Sequence, residues 1–582
     1  MSEKRLFGME QSSFAHNFQI ITEKEIQQMP VQSVNEALQY ITGVDLRQRG
    51  PSGAQADISM MGSTFEQVLI LVNGIPLRDP QTGHNQLNLP FDLSMIHEIE
   101  VIKGSAARLY GANAMAGAIN IKTKTPGNPN AYFQAYSSSP FETDTASSDT
   151  YYGLGLRAGA GFRTKNIGHQ IDLGYQKTNG YRYNSGSEQQ RVNYMGTYRR
   201  NNSTLNWMAG TLFNEFGANG FYSPKVDKNA IEKVNTTFGS VKLVAYRNKW
   251  KISPLAYVRY NHDDYNLNAF NYQNNHFSTT AGAEVHTSVR LNKYEIGAGY
   301  ESRAEIIRSN NLGKHERFYN AIYTELRRVF SNSAQITAGI NAQHNNDYGW
   351  NFYPGIEAST PVFYKTKIFA NAGLANRLPT YTDLYYSDSG NIGNSNLKPE
   401  NAFNTEFGVR VSGNQFKASA SAFIRDITDF IDFVRENAND KYQPRNFQHV
   451  QIKGFDVNAS YKFSSKTKVR IDEIKGAYTY LDATLLNNSL ESKYALQHLR
   501  HQVVGSVNVK IAEKIALNVQ GRYNERIQAM QYALLDARIK YTAKHWNFFA
   551  DVSNILDRYY VESGLVPMPG RWYRIGFGYS LN

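Results

Sequence analysis

Ile96–Lys124, IHEIEVIKGSAARLYGANAMAGAINIKTK, is the stretch from which the rest of the chain is read. Ile99 and Val101 alternate with Glu100 and Ile102 before Gly104. Further on, Gly117, Ile119, Ile121 and Thr123 alternate with Ala118, Asn120 and Lys122. Both flanks carry the period-two signature of strands. Gly104, Gly111 and Gly117 stand where the chain must turn or let backbones approach. The pattern predicts strand, glycine turn, short helical turn, second glycine turn, strand. A β unit this small buries too little surface to stand alone, so the remaining chain must enclose it.

The 582 residues would ordinarily suggest several domains. Composition argues for one large barrel instead. Aromatic residues make up 13%, with 39 Tyr and 31 Phe against 5 Trp, while Gly is abundant at 44 and Pro sparse at 17. Mean hydropathy is −0.51, and no apolar run approaches the length of a transmembrane helix. In a transmembrane β-barrel only alternate residues face lipid, so average hydropathy stays low. Tyrosine, with an apolar ring and a polar tip, suits the membrane–water interface. There is no cysteine, hence no disulfide framework and no thiolate site. The net charge is +12. The basic residues are interspersed along alternating strands rather than gathered in a run, which argues against nucleic acid and suits phosphorylated lipid headgroups.

From about Ala131 the alternation repeats. Leu154, Leu156, Ala158, Ala160 and Phe162 share one face, with Gly155, Arg157, Gly159, Gly161 and Arg163 on the other. The fragment GLGLRAGAGF carries part of a dinucleotide fingerprint, but that motif needs a strand-to-helix junction, and continuous alternation says strand. Phe455, Val457, Ala459, Tyr461 and Phe463 repeat the pattern, as do Ile515, Leu517, Val519 and Tyr523. The terminal strand is the clearest: Tyr573, Ile575, Phe577, Tyr579 and Leu581 against Arg574, Gly576, Gly578 and Ser580. Allowing roughly 20 residues per strand and turn, residues 131–582 accommodate about 22 strands, a size at which the lumen is wide and plugged.

The block IEVIKG…YGANAMAGAINIKTK resembles the plug domain of TonB-dependent outer-membrane receptors. Other landmarks agree in order. SVNEALQYITGVDL resembles a second plug landmark, with helix caps expected at Thr22 (Glu25 three residues on) and Ser33 (Glu36 three residues on), and with Val34, Ala37, Leu38 and Ile41 on one face up to Gly43. Val68–Val72 before Asn73-Gly74 signals a hairpin. Ala375–Arg410, with Arg377, Pro379 and Asn396–Glu400, is similar to the mid-barrel signature. Asp551–Glu562 followed by Gly570-Arg571 is similar to the C-terminal box. The resemblance covers essentially the whole chain. It implies an all-β membrane protein: a large antiparallel transmembrane barrel (131–582) around an N-terminal α+β plug (1–130), in the outer membrane of a Gram-negative bacterium. MSEKRLFGMEQ lacks the apolar core of a signal peptide, so the sequence is expected to be a mature or trimmed form. No clear TonB box is seen near this end. The family usually ends on an aromatic residue, whereas this sequence ends Leu581-Asn582; the expectation is that Tyr579 takes that role or that the aromatic requirement is relaxed.

The resemblance also implies active import: cargo bound at the extracellular mouth, then plug rearrangement driven by TonB with ExbB and ExbD of the inner membrane. Two loops take the plug-apex positions, Arg47–Gln55 and Asp79–Asn88. They nominate Arg49, Ser52, Gln55, Gln81, Thr82, His84, Asn85 and Gln86 as cargo contacts, with ordinary solvent loops as the alternative. From the barrel, Tyr385 and Tyr386 are candidates, or interface-belt tyrosines. Glu98, Glu100, Lys103 and Arg108 are candidates for plug–barrel coupling.

For cargo, the length is short for a large glycan importer. A haem receptor would place a histidine in the mid-barrel block, and none lies between Ala375 and Arg410; His84 is the one well-placed plug histidine, since His97 adjoins a core strand. The compact plug and DPQTGHNQLNLPFDLSMIHEIEVIKG look most like the BtuB-type cobalamin transporters, especially those of Bacteroidetes. Ferric siderophores are the alternative, since Arg47, Arg49 and Arg78 lie near the apex and would suit an anionic chelate. The aspartate-rich calcium loops of the best-known cobalamin transporter have no counterpart in NGYRYNSGSEQQRV. Asp263, Asp264, Asp426, Asp429 and Asp432 are scattered acids, and no metal site or cofactor is assigned. No nucleophile–base constellation, zinc spacing or P-loop marks an enzyme. Expected partners are the cargo (cobalamin or another metal chelate), TonB, outer-membrane lipid and lipopolysaccharide, and a surface-exposed substrate-binding lipoprotein.

Overall fold

A computed structural model describes residues 2–3, 8–9, 15–51, 53–144, 148–222, 227–267, 272–465, 467–486, 491–492, 498–527 and 529–581. The plug comes first: β1 (Phe18–Thr22), α1 (Glu23–Gln28), α2 (Val34–Leu38), β2 (Val44–Gln48), β3 (Ala56–Met60), β4 (Val68–Val72), β5 (Ile75–Pro76), β6 (Ile96–Lys103), α3 (Ala107–Tyr110) and β7 (Gly117–Thr123). The expected strand–turn–helix–turn–strand is β6–α3–β7, with Gly104 at φ +85° and Gly111 at φ +74°. These are backbone states that a Cβ disfavours. Asn73 (φ +54°) and Gly74 (φ +81°) make the β4–β5 hairpin turn, both in the left-handed region that a type I′ turn requires. Thr22 and Glu25 form a reciprocal capping box, and the Ser33 side chain accepts the Glu36 amide. Helix α2 is shorter than the predicted run to Ile41. It stops at Leu38, and Gly43 at φ +72° reverses the chain.

The plug sheet has the order β1-β6-β7-β4-β5, with β4 and β7 parallel and β6 and β7 antiparallel. Both faces are covered, which is why VLILV is apolar without alternation. Val68, Ile70 and Val72 join one buried cluster with Ile99, Val101, Ile119 and Ile121; Leu69 and Leu71 join another with Ile102, Leu109 and Tyr110. The hairpin β2–β3 pairs separately, Val44 opposite Met60 through Gln48 opposite Ala56.

Around it closes a 22-stranded antiparallel barrel, from β8 (Asn130–Ser139) to β29 (Trp572–Leu581), with a two-residue strand Glu491–Ser492 added at one loop. Closure is made by β8 pairing with β29, Ala131 opposite Leu581 through Ser139 opposite Tyr573. It leaves no strand edge in lipid. The alternation falls as expected. Leu154, Leu156, Phe162, Phe455, Val457, Phe577 and Ile575 are exposed on the outside, whereas Arg157 on the opposite face is buried against the plug. No helix among the described residues is long and apolar enough to cross a membrane.

Strand ends fix the orientation. At one end the connections are tight, as at 165–166, 201–202, 248–249 and 292–293, with Lys165, Asn201, Asn248 and Asn292 in the left-handed region. At the other end they are long, as at 378–399 and 554–571. Short turns mark the periplasmic rim and long loops the extracellular mouth.

Candidate functional site at the plug apex and barrel mouth

The two apex loops meet at the mouth end, on one carboxylate that sequence reasoning did not single out. Asp57 of β3 takes Arg49 Nη1 at 3.2 Å and the His84 imidazole on its Oδ1. Burial pushes this carboxyl up, but Arg49 and His84 outweigh it and hold it at about 2. His84 also stacks on Phe65, ring centroids 4.4 Å apart. Gln55 accepts from Arg49 and from the Tyr222 hydroxyl at 3.2 Å, and Arg49 lies over the Tyr222 ring. A barrel-loop tyrosine is thus tied to the first apex loop.

The second loop is held by barrel strands. Gln81 Nε2 donates to Asp263 at 2.6 Å; Arg259 donates to Asp79 Oδ2 and to the Asn85 carbonyl, both at 2.9 Å. Thr82 Oγ1 accepts the His84 amide, and the Gln86 amide bonds the Gly83 carbonyl. Of the nominated apex residues, Arg49, Gln55, Gln81, Thr82, Asn85 and Gln86 are buried, and His84 is half-buried. Ser52 lies outside the described residues. The apex is therefore a braced platform, with polar side chains turned inward to hold its shape.

The mid-barrel signature supplies an unforeseen clamp. After Arg377 the chain leaves the barrel wall and forms α4 (Tyr381–Tyr385), whose first amides bond the apex loop: Tyr381 N to Pro80 O at 3.0 Å and Thr382 N to Gln81 O at 3.1 Å. Tyr385 stacks on His315 at 3.7 Å, and the Tyr386 hydroxyl donates to Asp388 at 3.1 Å. Both tyrosines are half-buried beside the mouth. Arg377 gathers Asp383 at 2.6 Å, Glu400 at 3.0 Å and plug Glu66 at 3.7 Å. Burial raises the Glu66 carboxyl to about 8; Arg377 opposes, while Asp383 and Glu400 add to the rise.

The coupling candidates divide. Lys103 Nζ bonds barrel Asp456 at 2.8 Å with both side chains fully buried. Arg108 on α3 meets barrel Glu325, and Glu357 at 3.2 Å. Glu98 and Glu100 instead bond Lys122 of the neighbouring plug strand, at 3.0 and 2.8 Å. Their contacts lie inside the plug sheet, because the β6–β7 register sets them across from Lys122 and Asn120. The scattered acids are likewise engaged: Asp263 with Gln81, Asp264 with Gln273, and Asp426 with Gln451. Among the described residues no three His, Cys, Asp or Glu side chains are grouped to hold a metal.

Residues 125–555 match the family described as TonB dependent receptor-like, beta-barrel, and residues 10–118 match the TonB-dependent Receptor Plug Domain. The chain belongs to the TonB-dependent receptors, and is a transporter-type receptor of the Gram-negative outer membrane. It is 22% identical over 582 residues to a vitamin B12 transporter BtuB of Photobacterium profundum, covering 95% of this chain and 91% of that protein. Against the vitamin B12 transporter BtuB of Vibrio vulnificus the identity is 23%, over 78% of this chain and 74% of that protein. Solved structures share the fold. The siderophore receptor PirA of Pseudomonas aeruginosa superposes with a TM-score of 0.78 at 17% identity, covering 97% of this chain and 99% of that one. The FrpB iron transporter of Neisseria meningitidis superposes with a TM-score of 0.80 at 13% identity, covering 98% and 100%.

Proposed function

We propose that this receptor imports cobalamin or a related corrinoid, energised by TonB with ExbB and ExbD. The observation that carries the cargo reading is that the apex arginines are already engaged inside the protein. Arg47 bonds Asp45 at 3.0 Å, Arg49 meets Asp57, and Arg78 donates to the Tyr110 and Ala112 carbonyls at 2.7 Å. A catecholate chelate carries net negative charge and calls for available cations. With its polar side chains turned inward and its arginines engaged, the platform suits an uncharged corrinoid rim better than an anionic chelate. Nearly full-length similarity to proteins named vitamin B12 transporter supports the same reading. The likeness to a siderophore receptor and to an iron transporter is a likeness of fold at under 20% identity. The outer face meets lipid and lipopolysaccharide, and a surface lipoprotein hands over cargo at the extracellular loops.

The test is isothermal titration of the detergent-solubilised protein with cyanocobalamin, alongside a ferric catecholate. Cyanocobalamin binds, and His84→Ala weakens it about tenfold, the value of one hydrogen bond in a desolvated site. Binding of the iron chelate with silence toward cobalamin would move the function to iron acquisition.

A further inference from the structure

Two barrel carboxylates each hold two separate parts of the plug. Glu357 Oε2 takes His16 Nε2 at 2.7 Å and Arg108 Nη2 at 3.2 Å. Asp456 takes the Asn17 side-chain amide on Oδ1 and Lys103 Nζ on Oδ2, both at 2.8 Å. His16 and Asn17 are consecutive residues at the start of the plug, just before β1; Lys103 and Arg108 flank the Gly104 turn. All six side chains are buried. The same short segment is tied to the wall by its backbone: Asn371 donates to Ala15 O at 2.9 Å, Arg410 to His16 O at 2.5 Å, and Asn17 N to Glu406 at 3.4 Å. Asn17 O in turn accepts the Lys103 amide at 3.0 Å. By contrast, the backbone of β1 from Phe18 to Thr22 pairs with β6 of the plug itself.

We propose that Ala15–Asn17 is a mechanical trigger that caps both plug-to-wall ion pairs, and whose withdrawal admits water to them. While the cap is in place, Lys103–Asp456 and Arg108–Glu357 sit in a dry interface where attraction is strong. With it gone, the pairs face solvent and the attraction falls roughly fourfold, as the effective dielectric constant rises from about 20 to about 80. A pull on the N-terminal end, directed to the periplasm, reaches these three residues before any strand of the five-stranded plug sheet. Release runs in a fixed order: Ala15–Asn17 first, then the two ion pairs, then β6 and α3 from the wall. The small anchor at the start of the plug thereby controls the large interface behind it. The proposal rests on the TonB-energised reading and names the residues on which the pull acts.

The test is single-molecule pulling of the full chain in lipid nanodiscs from a handle at its N-terminal end, with no cargo and no inner-membrane partner. Heat-modifiable gel migration confirms that each variant has a folded barrel. At constant load, Asn17→Ala and His16→Ala each speed plug release about tenfold, the worth of one charge-assisted hydrogen bond. His16→Gln, which keeps a donor, stays near the wild-type rate. The discriminating readout is non-additivity. Asn17→Ala combined with Lys103→Met, and His16→Ala combined with Arg108→Met, release little faster than the faster single variant, because the ion pair in question is already wetted or absent. Rates that multiply independently, or cap variants that release at the wild-type rate, overturn the proposal. Because no cargo is used, a receptor that fails to bind cobalamin leaves this result standing.

Discussion

Asp456→Asn probes how firmly the plug is locked into the barrel. In the native protein Lys103 Nζ has Asp456 at 2.8 Å and Thr42 Oγ1 at 3.4 Å, and its side chain is 1% exposed. The substitution keeps the shape of the residue and the bond that Oδ1 accepts from Asn17, but removes the charge and replaces the oxygen that accepts from Lys103 and Thr479 with an amide donor. A buried cation losing its partner costs about 3–5 kcal/mol, so plug opening should rise by roughly two to nearly four powers of ten. Burial already pulls the Lys103 ammonium below its ordinary range, with Asp456 opposing. Without Asp456 the lysine pKa falls further. The folded state then binds fewer protons than the unfolded one, so the stability of the variant recovers as pH rises toward about 10. Lys103→Met with Asp456→Asn makes the pair neutral on both sides and should restore at least half of the loss. Hydrogen exchange of the β6 amides in detergent, with heat-modifiable migration as the check on the barrel, measures each step. A loss below about 1 kcal/mol for Asp456→Asn, the value of an exposed pair, would refute the argument, as would a double variant no better than the single.

Two further outcomes follow from the same interface. Glu66 has its carboxyl raised to about 8 by burial, so its protonated form is favoured in the folded state; plug docking is strongest below about 4.5 and weakens as pH rises toward 8. Glu66→Gln should flatten that slope in a thermal-denaturation series, and an unchanged slope would remove Glu66 as its source. Gly117 sits at φ +153° with space for a Cβ only 2.3 Å from the Ile102 carbonyl, so Gly117→Ala should unseat β7 while leaving the barrel assembled. Protease protection of the plug then drops while gel migration stays native; retained protection would refute the packing argument.

The mouth platform was only partly legible in the sequence. Loops rich in Gly, Pro and small polar residues marked its position, and the loops do meet there. Their composition suggested side chains turned toward cargo, yet the Gln81 side chain faces barrel Asp263, and Arg259 holds the loop by the Asn85 backbone carbonyl. Asp57 carried no motif: a single acid in ADISM reads as an ordinary strand residue until Arg49 and His84 converge on it. The Arg377 clamp was visible as a family signature but not as a contact with plug Glu66.

By itself the sequence determined the elements whose causes are local. Period-two alternation sets which side of each barrel strand is apolar, and the glycines at 104 and 111 and Asn73-Gly74 permit backbone angles that other residues resist. Thr22 with Glu25 closes a helix end within four residues. These effects act over a few bonds and leave a readable pattern. Only the tertiary structure decided which charged and polar groups meet. Lys103 and Asp456 are 353 residues apart, Gln67 and Glu400 are 333 apart, and Asp45 and Arg526 are 481 apart. Those partners are set by strand register around a closed barrel and by the angle at which the plug sits in it. A buried charge needs a partner, but nothing in its own neighbourhood of sequence says where along the chain that partner lies.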